Sequence, residues 1–186
     1  MENLKIFGLE LESVTCDGNR ATLKAIKKVF PDIVIQRCIV HVHRMANMWL
    51  RQNPKLQLSK DLKVIVNLLP RIKSENDKLF FIKTFHEWYD TNKSYINEKV
   101  NNEESERWWY KHRELRRATI SIKNAIPNLF HFIENENIPK STNGLESFFG
   151  HLKDTLSIHR GLSYKNRKSF ILWYLHFKNK SANKVL

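Results

Sequence analysis

The pattern of apolar and polar positions changes after about the first quarter of the chain. Residues 13–17 form a short run typical of a strand, and residues 33–38, "IVIQRC", alternate well enough for a second strand. Between them, residues 19–30 carry apolar side chains at helical spacing, with Asn19 placed to cap the helix and Pro31 placed to end it. The pattern therefore predicts a strand, a helix and a strand.

The rest of the chain has an almost wholly helical pattern. Helical segments are predicted over residues 39–51, 59–72, 74–100, 105–125, 141–159 and 163–179. Strands near the N-terminus followed by many helices favour an α/β fold that is mostly α, in which a partial sheet carries a helical block.

Composition narrows the choice of partner. The chain has 186 residues, with 32 Lys and Arg against 19 Asp and Glu, a net charge of +13. Such a positive charge indicates a polyanionic binding partner, and nucleic acid is the commonest polyanion. The longest apolar run, residues 170–175, is too short to span a bilayer, so no membrane partner is expected. Two cysteines give no disulfide framework, which favours an intracellular protein with free thiols.

Asp17 is the first candidate functional residue, because it lies where the first predicted strand ends. Side chains at the carboxyl ends of central strands face the crevice where α/β sheets bind ligands. Asp-Gly is also ordinary turn chemistry, and Asp often caps a following helix. The sequence leaves both interpretations open.

Glu146, in "KSTNGLESFFGHLK", is the second candidate. It lies off the apolar stripe of its predicted helix, one turn from Gly150 and near Lys153, which leaves room for an ion and a phosphate. Asn143 and Glu146 also have the spacing of a capping box, and the sequence does not separate the two roles. The residues of the stripe, which we expect to be buried, are Leu145, Phe148, Phe149, Leu152 and Leu156.

The stretch "QRCIVHVHR" has the composition of a zinc site but lacks its spacing. Cys38, His41 and His43 would need a fourth ligand, which only Cys16 could supply. The alternation of side chains along its strand points Cys16 away from the face that carries Asp17. We therefore expect Cys38 to be a buried small side chain and His41 to be a polar helix residue near the site.

Basic residues cluster in two stripes, residues 107–123 and 153–180. Lys and Arg neutralise phosphates, and the aromatic run "WWY" in the first stripe could stack on unpaired bases. The alternative is a solvated helix face with the tryptophans in the core. Of Trp108 and Trp109, we expect one to be buried and one to lie near the surface.

Several motifs occur together in a recognisable order. "CDG" is followed by "FPDIVIQRCIVHVHR", a long helical stretch, "STNGLESFFGHLK" and His-Arg-Gly. In this order they resemble the catalytic domain of Mutator-like DDE transposases of bacterial insertion sequences, and the resemblance covers nearly the whole chain.

The resemblance implies a partial ribonuclease H-like fold with a large helical insertion. Residues 1–50 would be part of the core with the second catalytic aspartate, residues 51–138 the insertion, and residues 139–186 the C-terminal helices with the catalytic glutamate. Asp17 and Glu146 match these two acids, which in the family hold two Mg²⁺ ions for DNA cleavage and strand transfer. Cys38 and His41 match a Cys-x-x-His signature that supports the site.

The resemblance and the basic stripes together imply DNA as partner, both transposon ends and target. They also imply homo-oligomers of the intact enzyme, in the bacterial cytoplasm near the nucleoid. The predicted DNA-binding residues are Arg44, Arg107, Lys111, Arg113, Arg116, Arg117, Asn143, Lys153, His159 and Arg160.

One departure from the family pattern concerns the first aspartate, which lies upstream of the Asp-Gly motif in these transposases. Residues 1–16 contain no Asp, and Glu2, Glu10 and Glu12 match the connector before that motif. The sequence thus resembles a C-terminal portion, and this chain alone is expected to bind DNA without cleaving it. The alternatives are a catalytically inactive DNA-binding remnant of a transposase and a basic helical nucleic-acid-binding module.

Overall fold

The computed structural model describes residues 11–101 and 107–182, with side chains as far as residue 180. Predictions that concern Glu2, Glu10 or residues 105–106 lie outside these ranges. The strands are β1 (Ser13–Cys16), β2 (Val34–Arg37), β3 (Lys99–Asn101) and β4 (Trp108–Tyr110). The α-helices are α1 (Arg20–Val29), α2 (Ile39–Leu50), α3 (Gln57–Val66), α4 (Glu75–Ile96), α5 (Arg113–Ala125), α6 (His131–Glu134), α7 (Asn143–Ile158) and α8 (Tyr164–Ala182).

The predicted strand–helix–strand unit is confirmed. β1 pairs in parallel with β2, so that Ser13 lies opposite Val34. The side chain of Asn19 caps α1 by accepting hydrogen bonds from the backbone N–H groups of Ala21 (2.9 Å) and Thr22 (3.3 Å). A small apolar core beneath this unit contains the buried residues Cys16, Ile26, Ile33 and Ile35.

A larger helical core follows along the chain. α2 packs against α5 and α3, although it comes directly after β2. Phe81 and Phe85 of α4 are fully buried in this core, with their rings stacked 6.3 Å apart. The corner between β2 and α2 therefore joins the sheet to the helical core, and the fully buried Cys38 lies at this corner.

Helix α4 begins with a reciprocal cap. The Asp77 amide donates to Ser74 Oγ at 3.2 Å, while the Ser74 amide donates to Asp77 Oδ2 at 3.0 Å. Hydrogen bonds from the backbone of Lys73 and from Ser74 hold the pKa of Asp77 below its usual value. The charged carboxylate thus stabilises the first turn of the longest helix in the described part of the chain.

Three predicted helical segments are corrected. The segment 59–72 is divided, because Pro70 cannot continue the hydrogen-bond ladder of α3 and lies in a 3-10 turn, Leu69–Arg71. Helix α4 ends at Ile96, and residues 99–101 then pair antiparallel with residues 108–110. Bulky aromatic residues favour strands, and this pairing overrides the helical pattern predicted for "WWY".

The two tryptophans of this hairpin also contradict the prediction that one is buried. Trp108 is 52% exposed and Trp109 is 48% exposed. The two strands have only three residues each, and so small a sheet buries little aromatic surface. The Nζ atom of Lys99 lies 4.0 Å from the centre of the Trp108 ring.

Residues 143–186 form a second compact unit, distinct from residues 1–142. Helices α7 and α8 contact each other, with Phe148 and Tyr174 rings 5.7 Å apart. Of the stripe predicted to be buried, Leu152 is buried, but Leu145 is 59% exposed and Phe149 is 43% exposed. The stripe prediction is wrong at these two positions. None of the helices in the described ranges combines the length and apolar character needed to cross a membrane.

Candidate functional site

The carboxyl ends of β1 and β2 lie side by side, because parallel strands end at the same edge of a sheet. Cys16 is the register partner of Arg37, and the Cys38 amide donates to the Cys16 carbonyl at 2.8 Å. We call residues 16–18 and 37–38 the carboxyl edge. It has the position at which α/β sheets commonly bind ligands, and Asp17 lies on it with its side chain exposed.

Asp17 makes a local turn contact. Its Oδ1 atom accepts a hydrogen bond from the Asn19 amide at 2.9 Å, as the turn interpretation of Asp-Gly predicts. An ionised carboxylate offers about four lone-pair sites on two oxygens. The turn contact uses one of them, so the same side chain can order the turn and bind a cation.

Gly18 and Arg37 approach each other closely at this edge. Gly18 has a φ angle of +83°, and the Arg37 guanidinium occupies the space that a Cβ atom on Gly18 would need. The Arg37 Nη2 atom donates to the Asp17 carbonyl at 3.1 Å. The backbone conformation at this position therefore favours glycine, and a larger residue would also displace the Arg37 side chain.

The Cys-x-x-His pair contacts the segment that precedes α7. Cys38 Sγ lies 3.4 Å from the Thr142 amide, 3.5 Å from the Thr142 hydroxyl and 3.3 Å from His41 Nδ1. Burial acts to raise the pKa of the Cys38 thiol, but the hydrogen bonds from Thr142 and His41 outweigh it and lower the pKa below its usual value. Cys38 thus connects parts of the chain that are 104 residues apart.

Two backbone carbonyls of the same segment accept hydrogen bonds from residues that flank the carboxyl edge. Thr15 Oγ1 donates to the Pro139 carbonyl at 2.7 Å, and the Ile39 amide donates to the Lys140 carbonyl at 3.1 Å. Residues 139–142 are therefore fixed beside both strands.

Helix α7 starts at Asn143, immediately after this segment. Asn143 is the first residue of the helix, whereas a capping box of Asn143 and Glu146 would place it one position before the helix. Glu146 is exposed in the first turn of α7. Within residues 11–101 and 107–182, no group of three or more His, Cys, Asp or Glu side chains could hold a metal ion.

Gln36 is a residue of this region that the sequence analysis missed. It is fully buried in β2, where its Nε2 atom donates to the Leu129 carbonyl at 2.7 Å and its Oε1 atom accepts from the Phe132 amide at 3.3 Å. It fixes β2 against the turn that precedes α6. The sequence did contain a signal for this role, namely a glutamine within an apolar strand. A buried polar side chain needs hydrogen-bond partners, so such a glutamine indicates a contact with another segment.

The predicted DNA-binding residues of the first unit differ in their availability. Arg44 is exposed and lines a cavity of about 730 Å³ together with Arg51. Arg116 is used inside the fold, because it lies 3.7 Å from the centre of the Tyr110 ring and its Nε atom donates to Asn97. The other predicted residues of the first stripe are exposed, namely Arg107, Lys111, Arg113 and Arg117.

In the second unit, three predicted DNA-binding residues lie together. Lys153, His159 and Arg160 line a cavity of about 300 Å³ at the turn between α7 and α8. Arg167, which the sequence analysis did not select, lines the same cavity. The cavity is therefore strongly cationic.

Comparison with known proteins gives a match to one part of the chain. Residues 1–69 match the family model described as transposase, Mutator family, and this range includes Asp17, Cys38, His41 and Arg44. No curated protein and no solved structure matches the chain, so the ribonuclease H-like fold stays a prediction. Residues 1–69 are therefore similar to transposases of the Mutator family.

Proposed function

We propose that the chain is part of a transposase catalytic domain that acts on DNA by metal-dependent phosphoryl transfer, with Asp17 and Glu146 as two of its metal-binding carboxylates. The observation that carries the proposal is the carboxyl edge. An exposed Asp17 lies there, and Thr142, which precedes the helix of Glu146, contacts Cys38 of the same edge.

The contacts of Cys38 within the first unit support a role for the Cys-x-x-His pair. Cys38 Sγ lies 3.4 Å from the Thr142 amide and 3.5 Å from the Thr142 hydroxyl. The Cys-x-x-His pair would thus act as a site-supporting element, because it anchors the residue before α7 next to the strand that precedes Asp17.

The chemistry of the two acids suits Mg²⁺, which prefers carboxylate oxygens and the phosphates of its substrate. When bound, Mg²⁺ activates the attacking oxygen and stabilises the leaving oxygen of an in-line displacement. Asp17 and Glu146 would hold it, and the third carboxylate would be the aspartate that the motif order of the family places upstream of the Asp-Gly motif. The carboxyl edge itself would position the scissile phosphate.

DNA is the proposed substrate, because the charge of the chain suits its phosphates. The net charge is +13, and exposed cations occur in both units. The cavity around Lys153, Arg160 and Arg167 would bind the DNA backbone. Arg107 and Arg113 would do the same from the first unit, in which they are exposed.

The metal site can be tested without knowing the transposon-end sequence. Mn²⁺, a substitute for Mg²⁺, is titrated into the full chain in the presence of a short DNA duplex. We expect Asp17→Asn and Glu146→Gln each to weaken the same Mn²⁺ site, and the double variant to lose no further site. The matched controls Asp32→Asn and Glu136→Gln change exposed acids of the same types and should leave the affinity unchanged. Undiminished Mn²⁺ affinity in both site variants would remove the proposal.

Activity provides the second test. We expect this chain to bind DNA without cleaving it. Fusion to an upstream transposase segment that carries the missing aspartate should produce Mg²⁺-dependent cleavage, and Asp17→Asn or Glu146→Gln should abolish it. Cleavage that survives both substitutions would show that other residues perform the chemistry.

A further inference from the structure

Arg37 has an unusual environment for an arginine at the end of a strand. Its guanidinium is packed onto Gly18, and its Nη2 atom donates to the Asp17 carbonyl at 3.1 Å. The side chain is half-buried, so the cation lies at the carboxyl edge rather than in open solvent. These contacts hold its position next to the exposed Asp17.

The contacts satisfy little of the hydrogen-bonding capacity of Arg37. A guanidinium carries five N–H donors, and within the described residues the guanidinium of Arg37 makes one hydrogen bond and no ion pair. Its Nε atom is buried and has no hydrogen-bond partner. The buried Nε donor is closed to a ligand, so a phosphate would be bound by the terminal N–H groups that the Asp17 carbonyl leaves unused.

The acid beside Arg37 does not neutralise it. Asp17 Oδ1 accepts from the Asn19 amide, and Arg37 contacts the carbonyl of Asp17 instead of its carboxylate. The carboxyl edge therefore presents an unpaired cation next to an exposed carboxylate. A phosphate with a bound metal ion complements this pair, since the metal suits the carboxylate and the phosphate oxygens suit the guanidinium.

We propose that Arg37 binds a backbone phosphate of the DNA at the carboxyl edge, beside Asp17. This inference rests on the proposed function for the identity of the ligand, and it adds a phosphate-binding residue within the matched residues 1–69. Arginine suits this role better than lysine, because its planar fork can donate two parallel hydrogen bonds to one phosphate. Packing against Gly18 would reduce the freedom that the side chain loses on binding.

The salt dependence of DNA binding tests the contact. Binding of a short duplex to the full chain is measured without divalent metal over a range of salt concentrations. Each neutralised phosphate contributes about 0.9 to the slope of log affinity against log salt for duplex DNA. We expect Arg37→Met to reduce the slope by about this amount and to lower the affinity, whereas Arg37→Lys should keep the slope because it keeps the charge.

Arg71→Met is the matched control, because Arg71 is an exposed arginine in the 3-10 turn after α3. It removes the same charge from a part of the chain that packs against the helical core, and we expect the slope to stay unchanged. An unchanged slope for Arg37→Met, or an equal loss for Arg71→Met, would overturn the proposal.

A second measurement covers the case in which Arg37→Met does not fold. The unmodified chain is treated with an arginine-selective reagent, and the modified peptides are identified by mass spectrometry. DNA should slow the modification of Arg37 and leave that of Arg71 unchanged; equal rates at Arg37 with and without DNA would refute the contact. Both measurements omit metal, so a failure of the Mn²⁺ site would not imitate a failure of this inference.

Discussion

Replacing Gly18 by alanine tests the close approach between the turn after β1 and the side chain of Arg37. Gly18 has a φ angle of +83°, and the Arg37 guanidinium fills the position of an added Cβ atom. Gly18→Ala must therefore strain the backbone and displace the arginine from its hydrogen bond to the Asp17 carbonyl. We expect the variant to fold with a lower free energy of unfolding.

Three contributions determine the change in the free energy of unfolding that we expect for Gly18→Ala. A left-handed conformation costs an alanine about 1–2 kcal/mol. Loss of the hydrogen bond between Arg37 and the Asp17 carbonyl costs about 0.5–1.5 kcal/mol. Alanine also reduces the entropy of the unfolded chain, which offsets about 0.4–1 kcal/mol. The expected net loss is about 0.5–3 kcal/mol. The added Cβ atom meets side-chain atoms of Arg37 rather than the backbone of β2, so the guanidinium is the group that must move.

The assay is urea unfolding, followed by circular dichroism, with hydrogen exchange of the amides of β1 and β2 as a local readout. Gly150→Ala is the control, because no atom lies within 4 Å of an added Cβ there and Gly150 is inside α7. Alanine favours a helix interior by up to about 1 kcal/mol, so this variant should be unchanged or more stable.

A double-mutant cycle of Gly18 and Arg37 gives a stricter test, because it measures the coupling free energy between the two residues. In the Arg37→Met background, Gly18→Ala should cost less by about 1 kcal/mol, because the hydrogen bond is already absent. The reasoning is refuted if Gly18→Ala leaves stability within about 0.5 kcal/mol of the unmodified chain, or if its cost is the same in both backgrounds.

Three other predictions concern the helices. Asn19→Ala should lower the free energy of unfolding by about 1 kcal/mol, because α1 loses its N-cap; urea unfolding measures this, and an unchanged midpoint would contradict it. Phe85→Ala should cost about 3–5 kcal/mol, since Phe85 is fully buried, whereas Phe80→Ala, at a side chain that is 61% exposed, should change stability by less than about 0.5 kcal/mol; similar costs at both positions would be inconsistent with the core. The pKa of Asp77 is lowered in the folded state, so its carboxylate contributes stability above the usual Asp pKa, and this contribution is lost as the pH falls through the lowered value. The difference in free energy of unfolding between the unmodified chain and Asp77→Asn should therefore shrink on acidification. A difference that stays constant with pH would refute the role of Asp77 in the cap.

The first strand–helix–strand unit could be predicted from sequence because its signals are local. Asn19 and Pro31 lie at the two ends of α1, and the apolar positions between them repeat at helical spacing. The placement of Asp17 directly after β1 follows from the same signals. Such elements are specified by neighbours within a few residues, which a sequence pattern records.

The hairpin and the exposed face of α7 could not be predicted in this way. "WWY" contains residues suited to a strand, but its partner strand, residues 99–101, is not adjacent to it along the chain. A local pattern therefore does not indicate that the two segments pair. Leu145 and Phe149 have the spacing of a buried stripe, yet burial needs a covering surface, and the pattern of one helix does not say which neighbour supplies it.

By itself, the sequence determined the strand–helix–strand unit, the cationic character of the chain and a motif order that resembles Mutator-like transposases. Only the tertiary structure decided the arrangement of the carboxyl edge, where Arg37 packs on Gly18 and Thr142 contacts Cys38. The physical reason is separation along the chain: the contact between Thr142 and Cys38 spans 104 residues. Helical and strand periodicities describe which face of one element is apolar, while a contact of this kind depends on how two distant elements pack.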